Sequence, residues 1–284
     1  FIKLEKNWLF VQTAAADKSV RTNEVPESIM GDAIRYVLGH EVGHCLRLMH
    51  NMGASNNVPV EKLRDPAYTQ KYGTTPSIMD YARFNYVAQP GDKERGVKLT
   101  PPRFGVYDRY AIKWGYTPIF DKTLKEEEAY MAQWITDSLK KSPLYRYGKQ
   151  QFSTPFGDPR SMNEDLGNDA VKATKYGVKN LKYIMVNMDK WLKDKDSDMS
   201  YRTSLIDDII QQYALYSIHV ASNVSGYYLN EVKDGDGQVR LRGLNKNRQK
   251  EALNYLFTLY SDLDWMDNKT LLSKIALSGS PKLT

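Results

Sequence analysis

Cysteine is almost absent from this 284-residue chain, in which Cys45 stands alone. A lone cysteine excludes an internal disulfide framework and a second metal site built from thiolates. No run of about 18 apolar residues occurs, so nothing in the sequence reads as a membrane-spanning helix. Clusters of basic residues are missing too. The net charge of +6 is spread over scattered lysines and arginines, which fits solvated helix faces rather than a nucleic-acid surface. There is no glycine-rich phosphate loop and no Gly-x-Ser-x-Gly elbow, so two common routes to nucleotide binding and serine hydrolysis are closed. Histidine is scarce, with four in the chain, yet three of them fall between positions 40 and 50.

The rest of the composition is that of a folded protein long enough for one large or two ordinary domains. The chain opens on Phe1-Ile2-Lys3, with neither an initiator methionine nor a leader-like apolar stretch. It reads as a processed or excised product whose targeting signal is not present. Trp8 to Val11 are expected to form a strand, and Ala14 to Arg21 a helical turn or loop. After Pro26, the spacing of Ile29, Ile34, Val37, Leu38, Val42, Cys45 and Leu46 predicts an amphipathic helix over roughly 27–47. Residues 51–78 are punctuated by glycine, proline and asparagine and read as loop. A further helix is expected behind Pro101 and Pro102, with Val106, Tyr110, Ala111 and Trp114 on its apolar stripe.

Past residue 120 the pattern becomes long amphipathic helices. Thr123 and Glu126 stand at capping-box spacing ahead of Met131, Trp134, Ile135 and Leu139. After an irregular segment over 142–168, a second stripe runs from Val171 to Leu192 and a third helix spans about 202–224. A β-hairpin is expected over 227–242, and a last helical pair over 246–275. The acidic pair Asp234 and Asp236 sits at the hairpin turn and lacks the further acidic ligands of a calcium loop. His219 lies in an apolar helical pattern and reads as a satisfied histidine rather than a ligand. The fold class expected is mainly α.

The segment His40-Glu41-Val42-Gly43-His44 carries the chemistry. On a helix, His40 and His44 are one turn apart and share a face, where two imidazoles can reach one zinc ion at about 2.0–2.1 Å. Glu41 falls at the edge of that face, placed to act as general base on a metal-activated water without being a ligand. His50 joins them only if the helix ends. Were it to continue, His50 would lie about 9 Å further along the axis than His44, so the chain must turn back near residues 46–48. Cys45 points about 100° away from His44 around the helix and reads as a packed thiol.

With His50 included, the spacing resembles the metzincin clan of zinc endopeptidases, whose signature is HExxHxxGxxH followed by a Met-turn. Ser77-Ile78-Met79-Asp80-Tyr81 supplies the matching turn, with Met79 as the hydrophobic floor beneath the metal. The resemblance implies that Tyr81 reaches the metal or stabilises the tetrahedral intermediate. The stretches from Tyr107 to Tyr116 and from Glu164 to Leu181 are similar to bacterial zinc-dependent metalloproteases with a helical C-terminal region. The resemblance implies a zinc-dependent endopeptidase acting on peptides or proteins, with a catalytic portion over 1–117 and a helical region over 118–284. An exported location is expected: periplasmic, cell-surface or extracellular. The fold implied is the C-terminal half of a metzincin-like catalytic domain, and an upstream segment is expected to supply the substrate-binding sheet that 25 residues cannot. One departure stands out. The glycine of the signature falls on Arg47, where the turn commonly needs a left-handed residue. Two alternatives stay open: a centre of two histidines and a later glutamate, and a degenerate, non-catalytic relative that serves binding or assembly.

Overall fold

The computed structural model describes residues 2–100, 104–150, 157–230 and 239–273. The expected strand over Trp8–Val11 is instead part of helix α1 (Ile2–Thr13). A short apolar run bordered by mixed residues does not separate a strand from a buried helix by periodicity, and here the surroundings decide. Leu9, Phe10 and Val11 are all buried although they point in different directions around the helix. The polar residues of α1 find partners on the chain that encloses them. Asn7 Nδ2 donates to Asp208 Oδ2 at 2.6 Å, Gln12 Nε2 donates to Gln212 Oε1 at 3.0 Å, and Gln12 Oε1 accepts from the Phe84 amide at 3.1 Å. No strand precedes the metal-motif helix among the described residues.

That helix, α2 (Glu27–Cys45), follows Pro26. The long stretch after it holds short 3-10 turns and one helix, α3 (Pro66–Tyr72), where only loop is expected. Asp65 caps α3 by accepting from the Tyr68 amide, and Pro66 occupies its first turn, where its missing N–H costs nothing. Much of this stretch is buried, so its backbone groups need partners. Asn85 and Asn180 supply several: Asn85 Nδ2 donates to Leu63 O, and Asn180 Nδ2 donates to Tyr86 O and Ala88 O, at 2.7–2.9 Å. Helix α4 (Val106–Tyr116) and helix α5 (Leu124–Lys141) come next, α5 with the expected Thr123–Glu126 capping box. Pro101 and Pro102 lie outside the described residues.

The remaining helices are α6 (Ala170–Leu192), α7 (Ser200–Ala221), α8 (Lys246–Ser261) and α9 (Lys269–Leu272). Strands β1 (Tyr227–Leu229) and β2 (Leu241–Gly243) pair antiparallel with Tyr228 opposite Arg242, as the hairpin pattern predicts. Residues 231–238, where Asp234 and Asp236 are expected at a turn, lie outside the described residues. Helices α6 and α7 pack along one another, with α1 and α8 against the pair. The apolar stripe of α6 is buried as its periodicity predicts, with Leu181, Ile184, Met188 and Leu192 fully enclosed. Val58, Leu63, Phe84 and Val87 join the same core, which therefore takes residues from both sides of position 118.

Candidate metal centre

The site begins on the last two turns of α2. His40 is buried and His44 is exposed, and their rings stand 4.8 Å apart between centroids, as one helical turn dictates. The helix then stops at Cys45. The Leu48 amide donates back to Gly43 O and the Arg47 amide to His44 O, both at 2.9 Å, with Arg47 at φ +60°. This pair of bonds is a Schellman cap, and its left-handed position is held by arginine where glycine is usual. The cap reverses the chain and brings His50 Nε2 to 3.1 Å from His44 Nε2. The ligand atoms of His40, His44 and His50 all lie within 4.8 Å of one another.

The outer nitrogens fix how these rings face. His40 Nδ1 lies 2.8 Å from Ile78 O, His44 Nδ1 lies 3.0 Å from Leu48 O, and His50 Nδ1 lies 2.6 Å from Gln150 Oε1. A carbonyl oxygen only accepts, so each Nδ1 carries the proton and each Nε2 turns a lone pair inward. Facing lone pairs at 3.1 Å repel unless a cation lies between them. The donor set therefore fits a metal that accepts three imidazoles, which zinc does. Burial holds His40 below its usual pKa, against the bond to Ile78, and so keeps it neutral and able to bind metal.

A turn at 77–80 lies under the site. Met79 is fully buried, and its sulfur packs so closely on Gly43 that a side chain there would collide with it. The Asn51 amide donates to Met79 O at 2.9 Å and ties the turn to the residue after His50. Helix α4 holds the turn from the other side. Asp108 accepts from the Ile78 amide at 2.8 Å and from Ser77 Oγ at 2.7 Å, while also taking the Gly105 amide that opens α4. Asp108 thus positions the carbonyl that receives His40 Nδ1–H. Tyr81 leaves the turn with its hydroxyl 3.1 Å from His50 Nε2. Burial, reinforced by the charge of Glu41, raises its pKa and keeps the phenol a proton donor.

Glu41 is exposed, and with His40 and Tyr81 it lines a cavity of about 200 Å³ between α1 and α2. Ala33, Val37 and Phe84 make its wall mostly apolar, and Glu5 and Arg83 also line it. Cys45 is exposed as well, not packed as expected from its helical angle. The reason lies in α2 itself: Ile34, Leu38, Val42 and Leu46 form an exposed face, Leu38 at 60% and Val42 at 53%. His219 takes no part in the cluster: buried in α7, its Nε2 lies 2.8 Å from Asn163 O.

Four further residues at or near the site were not singled out from the sequence. Asp108 had a visible signal, an acidic residue three positions after a glycine at a helix start. Gln150 had none, being 100 residues from His50. Asp80 and Asp165 are both fully enclosed and share Ser55, whose amide donates to Asp80 Oδ2 at 2.7 Å and whose hydroxyl lies 3.4 Å from Asp165 Oδ1. Burial raises Asp80 to about 7 and lifts Asp165 well above the carboxylate range.

No curated protein and no solved structure matches the chain. One protein family does, along almost its whole length: the family model described as Met-zincin matches residues 22–283, taking in α2, the three-histidine cluster and the helical region to its end. The chain belongs to the Met-zincin family of metzincin-like zinc metalloproteases.

Proposed function

We propose that this chain carries the catalytic centre of a zinc-dependent endopeptidase, with His40, His44 and His50 as ligands, Glu41 as general base and Met79 as the Met-turn residue. The observation that carries the reading is the inward convergence of the three histidines' ligand atoms, together with the Glu41 side chain, which lines one cavity with His40 and Tyr81. Zinc, when bound, acts as a Lewis acid and lowers the pKa of water to about 7. Glu41 takes a proton from the attacking water as the new C–O bond forms. It then delivers that proton to the peptide nitrogen as the C–N bond breaks. Tyr81, protonated, donates a hydrogen bond to the oxygen on which charge develops. The apolar cavity beside Glu41 receives a side chain of the peptide substrate.

In this reading residues 1–117 bear the chemistry and 118–284 support it. The exposed apolar face of α2 favours an upstream segment of the same protein that covers it and completes the cleft. Export is part of the same proposal, and no helix among the described residues is long and apolar enough to cross a membrane. The two-histidine alternative needs a glutamate at the metal, and no glutamate joins the cluster among the described residues. The non-catalytic alternative drew on Arg47. Because Arg47 adopts the left-handed cap a glycine would adopt, it leaves the ligand geometry intact.

Zinc content and peptide cleavage measured on the full-length protein and its Glu41→Ala variant test the proposal. Both should hold one zinc per chain, and cleavage by the variant should fall by about 10²- to 10⁴-fold. Equal cleavage by the two would overturn the mechanism.

A further inference from the structure

The three histidines are not held alike. His40 and His44 sit on a helix, and each gives its Nδ1 proton to a main-chain carbonyl, Ile78 O at 2.8 Å and Leu48 O at 3.0 Å. His50 lies beyond the helix end, on the loop that follows the strained Arg47 cap. Its Nδ1 meets a side chain, Gln150 Oε1, at 2.6 Å. A neutral imidazole carries its proton on either nitrogen, and the hydrogen bond at one nitrogen decides the other. Without a fixed acceptor at Nδ1, His50 is free to place its proton on Nε2 and so remove a ligand.

Gln150 is kept in reach by a strap that runs beside the ligand loop. Asn51, the residue after His50, donates through Nδ2 to Arg146 O at 3.1 Å and accepts from the Gly148 amide at 2.7 Å. The Gly53 amide donates to Gly148 O at 3.3 Å. There the two backbones cross so closely that a side chain on Gly53 would come within 2.8 Å of Gly148 Cα. Two glycines and one asparagine thus set the register that puts Gln150 opposite His50. The strap belongs to the segment before α6, outside the HExxHxxxxxH stretch altogether.

We propose that Gln150 is a positioning residue for the metal, whose amide oxygen sets the tautomer and ring orientation of His50 and thereby the affinity of the whole three-histidine site. The proposal rests on reading His40, His44 and His50 as metal ligands. It gives the region after residue 118 a part in metal binding through His50, and it makes His50 the ligand most sensitive to changes elsewhere in the chain. An amide suits the place: it accepts from Nδ1–H without adding a negative charge to a site already served by Glu41.

The test uses Zn²⁺ binding by the full chain, with the tautomers of the three histidines read by long-range ¹H–¹⁵N NMR in the metal-free protein. Wild type should bind one Zn²⁺ with all three rings in the Nδ1–H form. Gln150→Ala and Gln150→Met should bind Zn²⁺ about 10- to 100-fold more weakly. In both, His50 alone should lose its Nδ1–H signal while His40 and His44 keep theirs. Gln150→Glu, which retains the acceptor, should restore both readouts. If wild type takes up no Zn²⁺, the ligand reading fails and the inference with it. If wild type binds and the Ala and Met variants bind equally well, the inference alone is overturned. It is overturned too if all three variants, Glu included, are weakened alike, since the strap then matters only for structure.

Discussion

Helices α2 and α6 carry the same kind of sequence signal and meet opposite fates. Each has an apolar stripe at three- and four-residue spacing, and an apolar stripe ordinarily faces the core. The stripe of α6 does so, with Leu181 and Ile184 fully buried against α7 and its neighbours. In α2 Ile34, Leu38, Val42 and Leu46 of the stripe face outward while Ile29 packs against the core, and the buried residues are Ala33, His40 and Gly43, small or polar. What holds α2 is therefore a different kind of interaction. Around α6 the fold is secured by apolar contact. Around α2 it is secured by hydrogen bonds to buried polar groups: Asp108 to the 77–78 turn, Asn51 to the strap, Ile78 O to His40. Periodicity reports which face of a helix is apolar; it does not report what covers that face. A metal site benefits from the second arrangement, because fixed polar partners orient its ligands while apolar packing would only bury them.

Paired truncations sharpen this contrast most. Leu181→Ala should cost about 2–5 kcal/mol of folding stability, as a buried leucine in a packed core does. Leu38→Ala, on the exposed face of α2, should stay within about 0.5 kcal/mol. Urea unfolding of both variants checks this, and a large loss at Leu38 would mean that its face is covered within this chain after all.

Acid should strike the α6–α7 core through one residue. Burial draws the pKa of His219 down to about 4 from an ordinary 6.5. A depressed value means stability that is complete above pH 6.5 and is lost as the pH falls towards 4, by about 3 kcal/mol. His219→Gln, which keeps a donor for Asn163 O, should flatten that loss in metal-free protein unfolded at pH 7 and pH 4.5. An unchanged slope would place the acid sensitivity elsewhere, for example in the metal-site half.

The smallest effect is expected at the helix cap. A non-glycine residue in the left-handed region costs roughly 1–2 kcal/mol, so Arg47→Gly should raise stability by about 1 kcal/mol and leave zinc binding intact. A loss of stability would show that the arginine side chain makes up for its backbone strain.

Much of this centre was legible in the sequence. The spacing of His40, Glu41 and His44 announced a shared helical face, and geometry alone required the chain to turn back before His50. A left-handed residue near the turn was also expected, and the structure puts it at Arg47 itself rather than at a neighbouring position. The capping box at Thr123 and the buried stripe from Val171 to Leu192 were equally open, being local patterns tied to local structure. Trp8–Val11 was misread as a strand because its burial on all sides comes from α6, α7 and the loop at Phe84, none of which is near it in sequence.

By itself, then, the sequence determined local items: where the long amphipathic helices run, which residues can share a metal, and that the chain must turn back before His50. Only the tertiary structure decided the rest: the outward face of α2, the clamp from Asp108 to Ile78, and the reach of Gln150 to His50. Helical periodicity and ligand spacing act over a few residues, where covalent geometry fixes the outcome. Burial and long-range hydrogen bonds depend on which segments the fold brings together, and a separation of 100 residues leaves no trace of that in the spacing.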